Sequence, residues 1–147
     1  IKPYNRLLVF KDFVNSRTVP YDDDGHGTHV SGIAAGNGFS GAPKGIAPEA
    51  SIVSLKVLDS DGSGNVSGIL AAMQWICDNH RKYNIRVVNL SLGMRYDDSV
   101  RIDPLHLGVG ALYKSGITVV ACKVKTGAAI DLFLPQRQYQ VPEIHRM

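Results

Sequence analysis

A chain of 147 residues is long enough to form one domain with a real hydrophobic core. Its hydrophobic content of 44% and charged content of 20% are those of an ordinary soluble globular protein, which argues against a disordered or fibrous chain. The net charge of +3 comes without a basic stripe interleaved with aromatic residues, so nucleic acid is not an expected partner.

Membrane and redox signals are weak in this sequence. No apolar run approaches the ~18 residues of a membrane span, so no membrane partner is expected. Cys77 and Cys122 are the only cysteines, and without a spacing motif they predict neither a disulfide scaffold nor a metal site. They fit a reducing compartment better, which favours a cytoplasmic protein over a secreted one. Because the chain begins at Ile1, we interpret it as an internal piece of a longer product.

The first two predicted elements are a strand and a glycine-rich helix. Residues 6–14 are rich in β-formers and predict a strand, and a loop over 15–24 follows. Apolar residues then recur at helical spacing over about 26–36. Each glycine inside this helix costs about 1 kcal/mol relative to alanine. We therefore expect the helix backbone to lie close against other backbone, that of a sheet.

A histidine, His26, stands at the predicted start of this helix. The partial positive charge of a helix N-terminus disfavours imidazolium, so a histidine there is placed to act as a base. The alternatives are a surface-loop histidine and a metal pair with His29, three residues further on. No third ligand follows at motif spacing, which argues against the metal pair.

The middle of the chain predicts a buried strand, a turn and a helix. Residues 51–58 are apolar enough to be buried on both faces of a sheet. The acidic spacing after them resembles a calcium loop, but twelve residues from Asp59 end at Leu70, where a glutamate is needed. A turn is therefore expected there. A helix follows over 66–83, and its predicted buried side holds Ile69, Met73, Ile76 and Trp75.

The remaining elements complete an alternating pattern. A second buried strand is predicted over 85–91, a helix over 105–115 and a third strand over 117–121. Strands that alternate with helices indicate a parallel sheet covered by helices. The predicted fold class is therefore α/β, with a doubly wound parallel sheet.

Residues 24–32, Asp-Gly-His-Gly-Thr-His-Val-Ser-Gly, closely resemble the histidine motif of subtilisin-like serine proteases, the subtilase or peptidase S8 family. The resemblance covers about 6–121 and is nearest to intracellular subtilases, because of the Phe-Lys-Asp-Phe opening and the short loop over 37–43. It implies that His26 is the general base and that His29 is a structural neighbour. It implies no obligatory cofactor; calcium occurs in the family, but no calcium site is identifiable in this sequence.

The resemblance also implies how a substrate is bound. Two backbone edges in this family pair with an extended polypeptide substrate, and glycines let such a peptide approach as an added strand. The matching positions are Gly62, Ser63 and Gly64 on one edge and Ser91, Leu92 and Gly93 on the other.

Other parts of the family pattern are missing. The strand that carries the catalytic aspartate would precede Ile1, and the nucleophile motif Gly-Thr-Ser-Met-Ala does not occur. After residue 121 the family continues with Ala-Gly-Asn, whereas this chain reads Cys-Lys-Val-Lys. Such an abrupt loss indicates a change of reading frame. We therefore interpret 1–121 as a partial subtilase domain lacking its N-terminal and C-terminal parts, and 122–147 as a tail foreign to the family.

The sequence thus predicts a fragment of a serine endopeptidase that retains only the histidine of an Asp/His/Ser triad and is inactive alone. One alternative is a non-catalytic module that binds peptides, and another is an unstable truncated product. Bare strand edges recruit other chains, so self-association through exposed sheet edges is also expected.

Overall fold

Strands and helices alternate along the chain as the sequence predicts. The computed structural model describes residues 6–93 and 104–121, so the proposed foreign tail at 122–147 lies outside the described residues. The elements are β1 (Leu7–Asp12), α1 (His26–Ala35), a 3-10 turn (Phe39–Gly41), β2 (Ile52–Lys56), α2 (Val66–Tyr83), β3 (Val87–Leu90), α3 (Pro104–Lys114) and β4 (Thr118–Ala121). Each predicted helix agrees with the observed one to within one residue at either end.

The strands pair in parallel, which confirms the predicted α/β class. In the first pair Leu7 of β1 lies opposite Ile52 of β2, and Asp12 lies opposite Lys56. In the second pair β3 lies beside β4, with Val87 opposite Thr118. Within the described residues these pairs form two separate two-stranded sheets rather than one continuous sheet.

Helix α2 begins and ends where its flanking asparagines place it. The Asn65 side chain accepts a hydrogen bond from the backbone N–H of Gly68 at 2.6 Å, which caps the first turn. Asn84 adopts the left-handed conformation at the other end, and its N–H bonds back to the carbonyl of Arg81 at 3.4 Å. Among the described helices, none is both long and apolar enough to cross a membrane.

The hydrophobic core lies between α2, α3 and the β3–β4 pair. The predicted buried side of α2 is confirmed, although Trp75 is only half-buried and stacks on Tyr83 with ring centroids 5.8 Å apart. The buried members of the core are Ile69, Met73, Ile76, Val88, Leu105, Leu112 and Ile117.

Strand β2 is less enclosed than predicted. Leu55 and Val57 pack against the core on the same face of the strand, but both are only half-buried. The expectation that residues 51–58 are buried on both faces is therefore wrong for this chain. The reason is that Leu55 and Val57 lie at the margin of the core, whose buried members come from α2, α3, Val88 and Ile117.

The glycine-rich helix α1 lies close to other backbone, but that backbone belongs to a loop and not to a sheet. The N–H of Gly45 donates to the carbonyl of Gly36 at 2.8 Å, and the N–H of Ile46 donates to that of Ile33 at 3.0 Å. A Cβ on Gly45 would lie 2.6 Å from the nitrogen of Gly36 and 2.7 Å from that of Ala35. The close approach is therefore confined to the C-terminal end of α1.

Candidate functional site

An open groove of about 520 Å³ lies where the ends of β2 and β3 meet the start of α1. All seven site residues predicted from the sequence line it: His26, Gly62, Ser63, Gly64, Ser91, Leu92 and Gly93. Its wall also contains Asp24, Leu58 and Ile69, which the sequence analysis did not place in the site. Positions up to 69 residues apart in sequence are thus brought to one surface.

The first turn of α1 is capped by carboxylates that precede it. The residue before the helix is Gly25, which has a positive φ of 93° and no side chain with which to cap. The Asp22 carboxylate takes over this role by accepting the N–H of Thr28 at 2.7 Å and the N–H of Gly25 at 2.9 Å. Asp24 accepts the N–H of His26 at 3.1 Å. Two backbone donors of the first helical turn are thereby satisfied.

The same hydrogen bonds determine the charge state of Asp22. The Thr28 hydroxyl makes the largest contribution, and the N–H groups of Gly25 and Thr28 add to it. Together they outweigh the effect of partial burial and lower the pKa of Asp22 to about 2. Asp22 is therefore an anion at neutral pH beside the positive end of α1, which stabilises the helix start.

Lys56 connects the end of β2 to the loop over 13–25, which joins β1 to α1 and carries Asp23. Its ammonium group donates to the Asp23 carboxylate at 2.6 Å and to the Leu58 carbonyl at 2.7 Å. It also lies 5.0 Å from the centre of the Tyr21 ring. Burial opposes the charge of Lys56, but the hydrogen bond and the charge of Asp23 outweigh it and raise the pKa of Lys56. The same hydrogen bond lowers the pKa of Asp23.

The buried carboxylate of Asp12 holds the first part of the same loop, over 14–21. It is 7% exposed and lies opposite Lys56 in the β1–β2 pair. Its oxygens accept the N–H of Val14 at 2.8 Å, that of Arg17 at 3.1 Å and the hydroxyl of Tyr21 at 2.8 Å; the N–H of Asn15 also donates to it. Burial alone would raise the pKa of Asp12, but these bonds together lower it to about 2.

The first predicted substrate edge is part of a tight turn. Asp59 closes the turn, because its N–H donates to the Ser63 carbonyl at 2.7 Å and its carboxylate accepts the Ser63 N–H at 2.9 Å. Both backbone groups of Ser63 are thus used inside the turn. A Cβ on Gly64 would lie 2.4 Å from the Val57 carbonyl oxygen. The chain's own packing therefore requires glycine at this position, independently of any peptide ligand.

The second predicted edge contacts the histidine directly. The Nε2 atom of His26 lies 2.7 Å from the carbonyl oxygen of Ser91, at the end of β3. The Ser91 hydroxyl accepts a hydrogen bond from the Asn89 side chain at 2.8 Å. The arrangement brings an imidazole and two backbone segments, 62–64 and 91–93, to one groove.

Potential metal ligands are scattered in the part of the chain that the structure describes. In the stretches 6–93 and 104–121, no group of three or more histidine, cysteine or acidic side chains is placed to hold a metal ion. His29 does not line the groove.

The local signal that could have identified Asp22 is an aspartate three residues before a glycine at a helix start, where its carboxylate can accept nearby N–H groups.

Comparison with known proteins gives a consistent family assignment. The model of the Subtilase family, Peptidase_S8, matches residues 10–126. Serine protease AprX of Bacillus subtilis strain 168 is 38% identical over 131 residues, which cover 83% of this chain and 29% of AprX. Subtilisin E of the same strain is 39% identical over 118 residues, covering 80% of this chain and 29% of that protein.

Comparison with solved structures supports the same family. The solved structure of Sphericase superimposes with a TM-score of 0.68 at 30% sequence identity, covering 82% of this chain and 41% of that one. This chain therefore spans less than half the length of the proteins it matches. On the combined match of sequence, family model and structure, the chain belongs to the subtilase family.

Proposed function

We propose that this chain is part of the catalytic domain of a serine endopeptidase, in which His26 is the general base and residues 62–64 and 91–93 hold a polypeptide substrate. The observation that carries the proposal is the convergence of His26 and both backbone edges on one groove. Family membership supports the same chemistry, because subtilisin-like relatives match over most of this chain.

The reaction needs an imidazole nitrogen that is free to accept a proton. A serine hydroxyl attacks the scissile carbonyl, the base takes its proton, and an aspartate holds the imidazole in the tautomer whose Nε2 is unprotonated. The 147 residues contain no Gly-Thr-Ser-Met-Ala nucleophile motif. We therefore propose that the chain on its own does not hydrolyse peptides, and that His26 acts only together with further residues.

Two measurements test this assignment. The purified chain should neither cleave peptide anilides nor react with a fluorophosphonate, which labels only an activated serine. Genomic DNA on both sides of the reading frame should encode an upstream Asp-x-Gly strand and a downstream Gly-Thr-Ser in another frame. Fluorophosphonate labelling of the 147-residue chain that is lost in His26→Ala would contradict the proposed absence of a nucleophile.

A second candidate function is peptide binding without catalysis. It is favoured by the fact that both edges and the groove are formed within these residues, independently of the rest of the triad. The test is a titration of the 15N-labelled chain with an unstructured peptide. Amide shifts should change at 62–64 and 91–93, and a backbone-methylated analogue of the same peptide should bind more weakly because it lacks the N–H donors of an added strand. Equal binding of both peptides would reject strand addition.

A further inference from the structure

The contact between His26 and Ser91 fixes which imidazole nitrogen carries a proton. A backbone carbonyl oxygen can only accept hydrogen bonds, so at 2.7 Å the Nε2 atom of His26 must donate. In the neutral ring the other nitrogen, Nδ1, is then unprotonated. This is the reverse of the tautomer that a general base for a serine hydroxyl requires at Nε2.

The ring is directed to this carbonyl from a rigid support. The His26 N–H is bonded to the Asp24 carboxylate at 3.1 Å, and Asp22 holds Thr28 of the same helical turn at 2.7 Å. Because the backbone of this turn is fixed by both carboxylates, the imidazole can reach only a limited part of the groove. The Ser91 carbonyl lies within that reach, 65 positions further along the chain.

The same carbonyl belongs to the edge that a peptide would use. An added strand forms its hydrogen bonds with backbone N–H and C=O groups, and residues 91–93 line the groove together with His26. A carbonyl oxygen can accept two hydrogen bonds, so the oxygen itself could be shared. The imidazole, however, occupies the groove beside it, so a peptide that pairs with Ser91 has to displace the ring.

We propose that His26 is a latch on this edge: its Nε2–H holds the Ser91 carbonyl, closes the second edge against peptides, and keeps the imidazole in the tautomer whose Nε2 cannot take the proton of a serine hydroxyl. Peptide binding releases the ring from the carbonyl and allows it to change tautomer. The binding half of this proposal rests on the proposed peptide-binding function of residues 91–93, whereas the tautomer half does not.

The tautomer is measured directly on the full 147-residue chain. Long-range 1H–15N correlation spectra of the histidine-labelled protein distinguish a ring protonated at Nε2 from one protonated at Nδ1. The measurement is made at a pH well above the ordinary imidazole value of about 6.5, so that the neutral ring is observed. We expect His26 to be protonated at Nε2. A ring protonated mainly at Nδ1 would overturn the latch, whatever the binding data show.

Competition is measured with a variant that removes the ring. His26→Ala should bind an unstructured peptide more tightly than the parent chain, by roughly three- to tenfold, because one neutral hydrogen bond no longer has to be broken. His29→Ala is the matched control: His29 lies on the same helix outside the groove lining, and its removal should leave the affinity unchanged. Equal or weaker binding by His26→Ala would show that the ring does not compete.

The two proposals fail in different ways. If neither the parent chain nor His26→Ala binds peptide while Nε2 is protonated, the peptide-binding function is rejected and the contact with Ser91 is upheld. If peptide binds but His26→Ala gains no affinity, the groove is a binding site and the latch is rejected. Addition of peptide should also move the His26 signals, and unchanged His26 signals at saturation would reject displacement of the ring.

Discussion

The carboxylate of Asp22 accepts the backbone N–H of Thr28 at 2.7 Å, so the helix that carries His26 is capped by a residue four positions before it begins. This relationship explains how the helix can start after Gly25, which offers no side chain of its own. A substitution of Asp22 should therefore alter the helical turn that positions His26 while the imidazole itself is kept.

Removal of this cap should loosen the first turn of α1. Asp22→Ala deletes an acceptor of helix N–H groups, which typically costs about 1 kcal/mol. The expected result is hydrogen exchange about fivefold faster at the amide of His29, whose N–H forms the first hydrogen bond to Gly25 in the helix. Asp22→Asn keeps only one of the two acceptor oxygens, so its exchange rate should lie between those of the parent chain and Asp22→Ala. Equal exchange rates in the parent chain and Asp22→Ala would contradict the capping role.

Acid should destabilise the chain through Asp12. Its folded pKa of about 2 lies below the ordinary value of 3.8, so the folded state binds the proton less readily than the unfolded state. The contribution is therefore fully present above pH ~4 and is lost as the pH falls through about 2. Linkage sets its size on the order of 2 kcal/mol. Chemical unfolding at a series of pH values should show a shallower acid dependence in Asp12→Asn than in the parent chain.

The same carboxylate should be sensitive to truncation at neutral pH. Asp12→Ala leaves three backbone N–H groups and the Tyr21 hydroxyl without their acceptor in a buried place, and we expect a loss of about 2–4 kcal/mol. The exposed Glu49 offers a matched control, because Glu49→Ala removes a carboxylate from the surface and should change stability little. A loss no larger than that of the control would argue against the anchoring role.

Replacing Gly32, inside α1, and Gly45, in the loop against its end, by alanine should change the stability of the chain in opposite directions. A Cβ on Gly32 would meet nothing within 4 Å, so Gly32→Ala should stabilise the helix by up to about 1 kcal/mol. A Cβ on Gly45 would lie 2.6 Å from the backbone nitrogen of Gly36, so Gly45→Ala must displace the loop and destabilise the chain. Thermal unfolding of both variants and the parent chain should give a higher midpoint temperature for Gly32→Ala and a lower one for Gly45→Ala. A stabilised Gly45→Ala would show that the loop moves without strain.

Self-association should depend on the open side of the β3–β4 pair. Val87 and Val120 are 59% and 49% exposed there, next to strand edges that lack a partner within the described residues. We expect the sedimentation coefficient to rise with protein concentration, and Val120→Lys to reduce this rise because a charge on the strand opposes pairing with another chain. His29→Ala, at an exposed position on α1, should leave it unchanged. Monomeric sedimentation at all concentrations would refute the expectation.

Local patterns in the sequence were sufficient for the elements but not for their polar contacts. The limits of α2 follow from its apolar spacing and from Asn65 and Asn84, which act within a few residues. Asp12 was missed because a carboxylate at the end of a β-rich segment resembles a solvated charge until the loop folds back over it. The contact of His26 with Ser91 joins distant positions and depends on the direction of the ring, for which no local pattern exists.

The glycines of the first predicted substrate edge have structural reasons of their own. The family resemblance implies that glycine at positions 62 and 64 allows the approach of a peptide. In the structure, Gly62 has a positive φ of 70°, and Gly64 lies against the Val57 carbonyl. The need for glycine at both positions comes from the turn that Asp59 closes. The sequence predicts a turn there but not the hydrogen bonds of Asp59 that close it. These residues line the groove because the turn itself forms part of its wall.

The division of the strands into two pairs has a consequence for how the chain folds. Strand β4 returns to β3 through a shorter loop than β2 to β1, and α3 within that loop contributes buried side chains to the core. Shorter loops close with less loss of entropy, and contacts that bury more apolar surface resist opening longer. The part of the chain from α2 to β4 should therefore form first and exchange its amides last. We expect the β1–β2 pair, with α1 and its histidine, to open before that part, although His26 and Leu55 contact it.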